Sequence, residues 1–268
     1  MLKDITLGQY FPGNSIAHKL DPRTKILLVT LYIIALFSAK GWMGYAVMVV
    51  TLAACVKVSH VGLRALVRGL KPLVFIIAFT GILNMFFTPD THYLWEWGIL
   101  RVSVKGIENA LFMVIRIMLL VMGTFLMTYT TSPIRLTDGL ESLLNPLKKI
   151  HVPVHELAMM MAIALRFIPT LIEETDKIMS AQKARGADFD SGNIFQKAKA
   201  LVPILVPLFI SAFRRADELA TAMECRCYHG GEGRTKLHVL KYQRRDYVAL
   251  AGGAVILVLV VVLRRLGT

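Results

Sequence analysis

The sequence predicts an all-α integral membrane protein with about five transmembrane helices and additional long amphipathic helices on the cytoplasmic side. The chain of 268 residues is 55% hydrophobic with a mean hydropathy of +0.57, which is too apolar for an ordinary soluble domain of this size. Its apolar residues form runs long enough to cross a bilayer, and basic residues flank those runs. The second half changes to helical patterns broken by prolines.

Five apolar runs approach the length of a membrane-spanning helix, which needs roughly 17–25 residues. They cover residues 25–39, 43–59, 70–88, 106–130 and 247–263. The first run is short, and the fourth is long enough to tilt. The predicted regions are 1–130 for the N-terminal membrane region, 131–245 for cytoplasmic or interfacial helices, and 246–268 for the C-terminal span.

The basic residues indicate which ends of the spans face the cytoplasm. Lys and Arg outnumber Asp and Glu by 31 to 18, and they precede the first span, separate the second from the third, and follow the fourth. The tryptophans Trp42, Trp95 and Trp97 fall on the opposite side. Basic residues that flank apolar runs fit a lipid bilayer and cytoplasmic partners better than nucleic acid. Residues 1–21 lack the apolar core of a signal peptide, so we expect the first span to be retained.

Two stretches in the second half have similar sequences. They are residues 167–187 and 208–228. Each has an apolar start and an aspartate nine positions before an arginine, Asp176 before Arg185 and Asp217 before Arg226. The pattern predicts two related helices that each end in one arginine.

A cation near a helix C-terminus commonly does no more than offset the helix macrodipole. The occurrence of two such ends, each with small residues on both sides of the arginine, favours docking instead. Small neighbours allow a helix end to enter a groove, where a guanidinium pairs with a carboxylate or with exposed carbonyls. The predicted docking residues are Ala184, Arg185, Gly186, Cys225, Arg226 and Cys227.

We predict no catalytic residues and no metal site. The chain has no G-x-x-x-x-G-K-[ST] phosphate loop, and the His-Glu pair at 155–156 is not followed by a second zinc-binding histidine. Cys225, Cys227 and His229 offer three ligands within five residues, but a fourth is not evident. Arg116, inside the fourth span, is a functional candidate that could equally snorkel or pair internally.

With these features the chain resembles the transmembrane T component of energy-coupling factor (ECF) transporters, the vitamin and metal-ion importers of prokaryotes. The resemblance covers nearly the whole length, from the Asp-Pro-Arg-Thr-Lys segment at 21–25 to the late span. Its specific marks are two Ala-Arg-Gly motifs. The first, at 184–186, matches in full, whereas the second keeps Arg226 between Cys225 and Cys227.

The resemblance implies a coupling subunit without a catalytic site or cofactor of its own. In that family the coupling helices seat their arginine ends in two ABC-type ATPases, which bind ATP and Mg, and carry their closure to a membrane-embedded, substrate-binding S component. The expected process is uptake of a vitamin or other micronutrient across a prokaryotic plasma membrane, with the N-terminus and the coupling helices cytoplasmic. We expect flexible apolar side chains to contact the S component. They are Met159, Met160, Met161, Phe209, Phe213 and Met223.

Two other functions stay open at this point. A self-sufficient secondary transporter should show inverted repeats and broken spans, whereas the visible duplication here lies outside the spans. A membrane-embedded enzyme would need a cluster of acidic or histidine residues. The nearest such group, without metal or nucleophile spacing, is Asp138, Glu141, His151, His155 and Glu156.

Overall fold

The computed structural model describes residues 10–88, 93–97, 100–187, 189, 193–230 and 239–266. The helices are α1 (Ile16–Lys19), α2 (Pro22–Ser38), α3 (Gly41–Ser59), α4 (Leu63–Leu70), α5 (Val74–Phe87), α6 (Val104–Thr130), α7 (Pro133–Leu144), α8 (Val154–Ala184), α9 (Ile194–Glu224) and α10 (Arg244–Arg265). A 3₁₀ turn at Lys71–Leu73 joins α4 to α5, and another at Asn145–Ile150 follows α7. The predicted all-α membrane architecture is confirmed.

A short β-hairpin between α5 and α6 is an addition to this architecture. Strand β1 (Tyr93–Trp97) pairs antiparallel with β2 (Leu100–Ser103). From sequence, Trp95 and Trp97 were predicted only as interfacial aromatics, because two strands of four or five residues give little periodicity. The side chains of residues 93–97 and 100–102 lie outside the described part of the chain.

Five of the described helical segments are long and apolar enough to cross a membrane: α3, the α4–α5 segment Leu63–Phe87, α6, α8 and α10. Four of them coincide with predicted spans. Helix α2 corresponds to the first predicted span, and its 17 residues give about 26 Å against a hydrocarbon core of roughly 30 Å. Helix α8 was assigned to the interfacial region because charged side chains crowd residues 173–177, although its first half is apolar.

Helix contacts divide the chain into two compact units. One unit, which we call the membrane unit, comprises the described residues of 10–140 and 240–266 and contains α1–α6, most of α7 and α10. The other, which we call the hairpin unit, comprises the described residues of 141–239 and contains α8, α9 and the end of α7.

Within the membrane unit, α10 runs parallel to α2. The Asp21 backbone N–H donates to a carboxylate oxygen of Asp246 at 2.9 Å, where both helices begin, and further along Gly253 lies against Leu28. Since the two helices begin on the same side, the C-terminal end of α10 lies on the opposite side. The sequence alone left open on which side α10 ends, because Arg264 and Arg265 are unfavourable for an external C-terminus.

The start of α2 is also tied to the end of α6. The Lys25 ammonium, only 7% exposed, donates to the Thr130 carbonyl oxygen at 2.7 Å and to the Thr131 hydroxyl at 3.1 Å. Asp21 caps α2 and forms an ion pair with Arg23 at 3.1 Å. The 21–25 segment therefore has a structural role, in which it joins three helix ends.

The core of the membrane unit lies between α2, α3, α4, α6 and α10. Its fully buried members are Leu36, Met48, Leu66 and Val260. Arg116 has its partners inside this unit. Its Nε donates a hydrogen bond to the Tyr45 hydroxyl at 2.9 Å, and its guanidinium lies 5.8 Å from the centre of the Phe37 ring. Large apolar side chains on the outer faces, such as Phe75, are exposed, as expected of surfaces that face lipid.

Candidate docking site at two helix ends

Helices α8 and α9 form an antiparallel hairpin. Near the end of α8, the Gln182 side-chain amide donates to the Pro203 carbonyl oxygen at 3.3 Å, early in α9. Beyond the end of α9, the Tyr228 hydroxyl donates to the Met159 sulfur at 3.2 Å, early in α8. These two contacts join opposite ends of the two helices, so the chain reverses direction between them.

A polar cluster joins the middle of the hairpin. Arg215 donates to a carboxylate oxygen of Glu174 at 2.6 Å, and the Ser211 hydroxyl donates to its other oxygen. Charge-assisted bonds of this kind are among the stronger hydrogen bonds in proteins. The partly exposed pair holds α9 in one register along α8.

The antiparallel arrangement separates the two arginine motifs. Each helix has 31 residues, which corresponds to about 46 Å at 1.5 Å per residue. Arg185 follows the last residue of α8, and Arg226 follows the last turn of α9. The two arginines therefore lie at opposite ends of the hairpin, on the order of 40 Å apart.

The end of α8 is closed by a Schellman motif. The Ala187 N–H donates to the Gln182 carbonyl oxygen and the Gly186 N–H donates to the Lys183 carbonyl oxygen, both at 3.0 Å. Gly186 has φ +86°, the left-handed conformation that this motif requires and that glycine adopts without strain. Arg185 thus occupies the last position before the chain turns away.

The end of α9 repeats this motif. The Tyr228 N–H donates to the Met223 carbonyl oxygen at 3.1 Å, and the Cys227 N–H donates to the Glu224 carbonyl oxygen at 2.8 Å. Cys227 takes the glycine position with φ +55°. Arg226 is consequently held as Arg185 is, although the turn is made by a residue with a side chain.

The two helices match before their ends as well. The Ser180 hydroxyl donates to the Asp176 carbonyl oxygen at 2.8 Å, and the Thr221 hydroxyl donates to the Asp217 carbonyl oxygen at 2.9 Å. Each pair precedes its arginine by the same number of residues. The similarity seen in sequence is therefore a similarity of hydrogen bonding.

All six predicted docking residues are exposed. Within the described ranges, neither the Arg185 nor the Arg226 guanidinium forms a hydrogen bond or ion pair with another side chain. Each presents a planar fork of donors that suits a carboxylate or phosphate group. The structure brings residues 184–186 together at one end and 225–227 at the other.

A family model described as "Cobalt transport protein" (CbiQ) matches residues 13–237. Curated relatives that carry the name "Energy-coupling factor transporter transmembrane protein EcfT" align over nearly their full length. The protein from Ruminiclostridium cellulolyticum is 55% identical over 246 residues, 92% of each chain. The chain belongs to the CbiQ/EcfT family.

Two further EcfT proteins give the same result. The relative from Clostridium kluyveri is 55% identical over 267 residues, 99% of this chain and 98% of the relative. The one from Bacillus subtilis is 46% identical over 264 residues, 98% of this chain and 100% of the relative. The chain is accordingly a multi-pass transmembrane component of an ECF transporter.

The apolar residues predicted to contact the S component fall into two groups in this EcfT family member. Phe209 and Phe213, with rings 4.6 Å apart, are 65% and 61% exposed on α9, and Met160 is exposed on α8. The other three, Met159, Met161 and Met223, are partly buried. Met159 accepts the hydrogen bond from Tyr228, so it belongs to the contact that supports the Arg226 cap.

Several residues of this site were missed from sequence. Glu174 and Arg215 were placed on polar faces, and Ala187 and Tyr228 were not assigned a role. A signal was available for Ala187 and Tyr228. In a Schellman motif the residue after the left-handed position donates its N–H to a carbonyl oxygen of the last helical turn. The Glu174–Arg215 pair depends on the register between two helices, which neither helix encodes alone.

The residues considered for other chemistry are not organised as a site. Among the described residues, no group of three or more His, Cys, Asp or Glu side chains could hold a metal ion. Cys225 and Cys227 are exposed free thiols. Within the hairpin unit, the His155 ring nitrogen Nδ1 lies 3.1 Å from a carboxylate oxygen of Glu141, which belongs to the last residues of α7.

Proposed function

We propose that this EcfT family member is the coupling subunit of an ECF-type ABC importer, in which the two arginine-capped helix ends dock into two ATPase subunits. The hairpin then transmits ATP-driven motion to a substrate-binding S component that takes up a vitamin or another micronutrient. The observation that carries this proposal is the presence of two equivalent arginine caps at opposite ends of one antiparallel hairpin.

The equivalence of the caps argues for two similar partners. The same pair of Schellman hydrogen bonds closes the helix beside Arg185 and beside Arg226, so one kind of groove would fit both. A separation on the order of 40 Å suits two protein subunits better than a single small groove. ATP and Mg would be bound by those subunits, and the chain itself would supply no cofactor site.

Docking through a capped helix end is favourable for two reasons. The Schellman bonds satisfy carbonyls that would otherwise be left without partners at the end of the helix. The exposed guanidinium can then enter a groove and form paired bonds with a carboxylate, while its small neighbours leave room for the partner's backbone.

Transmission requires that motion at one helix end reaches the other helix. The Glu174–Arg215–Ser211 cluster joins the helices midway, so a displacement of either end shifts the pair together. Nucleotide binding in the ATPases would bias two arrangements of the hairpin, which is the thermodynamic meaning of coupling.

The exposed side chains Met160, Phe209 and Phe213 would form the contact with the S component. They are apolar and lack polar pairing, which suits a surface that releases and recaptures a membrane partner. In the proposed orientation the N-terminus and the hairpin unit are cytoplasmic, in agreement with the distribution of basic residues.

The test is replacement of both docking arginines in the assembled transporter. Arg185→Ala and Arg226→Ala should each weaken association with the ATPases by about 2–5 kcal/mol, because a charge-assisted bond is lost at a desolvated contact. Arg214→Ala is the matched control, since Arg214 is an exposed arginine of α9 away from its cap. Copurification of the ATPases and ATP-driven uptake are measured together.

A double variant that assembles and transports like wild type would refute the docking role. The S-component surface has its own test. Phe213→Glu should release the S component while the ATPases stay bound. Loss of the ATPases with retention of the S component would assign this surface to the other interface.

A further inference from the structure

Helix α4 and the first residue of the 3₁₀ turn that follows it carry three cations on one side of an otherwise apolar segment. Arg64, Arg68 and Lys71 follow at intervals of four and three residues, which places them on the same face. All three are exposed. The opposite face is anchored in the membrane unit by Leu66, with no exposed surface, and by Leu70, which is 9% exposed.

The segments that flank these cations in the sequence contain no carboxylate. Residues 22–89, which contain α2, α3, α4 and α5, include no Asp or Glu. Within the described residues, no hydrogen bond or ion pair involves the side chains of Arg64, Arg68 or Lys71. Among the described residues, these exposed cations are therefore available to an anionic group from outside the chain.

The position of α4 along α6 sets its depth in the membrane. The Tyr129 hydroxyl donates to the Ala65 carbonyl oxygen at 3.4 Å, and Gly69 lies against the ring of Phe125. Helix α6 has 27 residues, about 40 Å, whereas the hydrocarbon core is roughly 30 Å thick. The length beyond the core allows its last turns, and α4 beside them, to reach the level of the lipid headgroups.

Exposed apolar side chains alternate with the cations. Leu63 and Val67 are 64% and 60% exposed, and both lie beside the cationic face. A surface of this kind, apolar next to basic at headgroup depth, is typical of a helix that lies against an anionic membrane. An acidic soluble protein would match the charges but not the apolar residues between them.

We propose that the cationic face of α4 binds the phosphate groups of anionic phospholipids in the leaflet on the side where α2 and α10 begin. Leu63 and Val67 contact the upper part of the acyl chains, and Arg64, Arg68 and Lys71 bind the headgroups. This inference requires only that the chain spans the membrane, and it is independent of the docking of ATPases at Arg185 and Arg226.

The test uses the complete transporter purified in detergent and supplied with mixed phosphatidylglycerol and phosphatidylcholine. Lipid retained by the protein is measured by native mass spectrometry and by extraction. A triple variant with Arg64→Gln, Arg68→Gln and Lys71→Gln should lose affinity for phosphatidylglycerol about fivefold per cation, roughly a hundredfold in all, at low ionic strength. Retention of phosphatidylcholine should not change.

Two control variants separate this site from general charge effects. Arg264→Gln with Arg265→Gln removes two exposed cations at the far end of α10 and should leave phosphatidylglycerol retention at the wild-type level. Arg64→Lys with Arg68→Lys keeps the charges and should also retain the lipid.

Three results would overturn the proposal. They are unchanged phosphatidylglycerol retention in the triple variant, an equal loss in the α10 control, and loss of a protein partner with lipid retention intact. The last result would show that the face binds an acidic protein instead.

Discussion

The two helix caps lead to opposite predictions for two substitutions at equivalent positions. Gly186→Ala should weaken the closure of α8, because it forces a residue with a Cβ into φ +86°. Cys227→Gly should strengthen the closure of α9, because it relieves the same kind of strain at φ +55°.

The expected free-energy cost of Gly186→Ala follows from the surroundings of Gly186. A Cβ added there would meet no atom within 4 Å, so the whole cost comes from the backbone conformation. Placing an L-residue in the left-handed region costs roughly 1 kcal/mol relative to glycine, which is about a fivefold change in the ratio of open to closed cap.

Hydrogen exchange measures this ratio directly. The amides of Gly186 and Ala187 donate the two Schellman bonds of α8 and should exchange about fivefold faster in Gly186→Ala. The amides of Cys227 and Tyr228 should exchange about fivefold slower in Cys227→Gly.

Gly252→Ala is the matched control. Gly252 also has open space around it but lies inside α10 without a positive φ, so alanine should not destabilise its helix. Unchanged exchange at Ala187 in Gly186→Ala, or faster exchange at Tyr228 in Cys227→Gly, would refute the assignment of these caps.

Three further predictions concern the membrane unit. Asp246→Ala should lower the free energy of unfolding by about 2–3 kcal/mol, because this carboxylate is 1% exposed and accepts from the Asp21 backbone N–H. Gly123→Ala should cost about 1–3 kcal/mol, because a Cβ would lie 2.5 Å from the Tyr32 ring. A single cysteine at Trp42 should react with an impermeant maleimide from outside, and one at Lys71 only from the cytoplasm.

The stability predictions are measured by thermal unfolding in detergent, and the Asp246 variant and the labelling each have a control. Asp217→Ala removes an exposed carboxylate and should change the midpoint of thermal unfolding little. Equal destabilisation by Asp217→Ala and Asp246→Ala would contradict the role given to the buried carboxylate. For the labelling, Cys55, Cys225 and Cys227 are first replaced by serine, and a reversed pattern would invert the proposed orientation.

The spans and the arginine motifs could be predicted from sequence because both depend on local patterns. Apolar run length alone decides whether a helix can cross a bilayer, so α3, α6 and α10 were found close to their observed bounds. The motifs at 184–186 and 225–227 were visible as a repeat, since the same capping requirement selects similar residues at similar positions.

The antiparallel pairing of α8 with α9 was not available from sequence. It places Arg185 and Arg226 at opposite ends of the hairpin, and it depends on contacts such as Glu174 with Arg215, 41 residues apart. Long-range contacts of this kind depend on how the surfaces of two helices pack together. The sequence of one helix alone does not predict that packing.

Apolar run lengths, flanking charges and capping residues, read within one helix at a time, determined that this protein is a helical membrane protein with two arginine-ended helices. Only the tertiary structure decided which side chains stay exposed. Phe209 and Phe213 on α9 are exposed, whereas Lys25 on α2 and Asp246 on α10 are buried. The physical reason is that composition sets the tendency of a segment to leave water, whereas burial of a particular side chain depends on the neighbour that covers it.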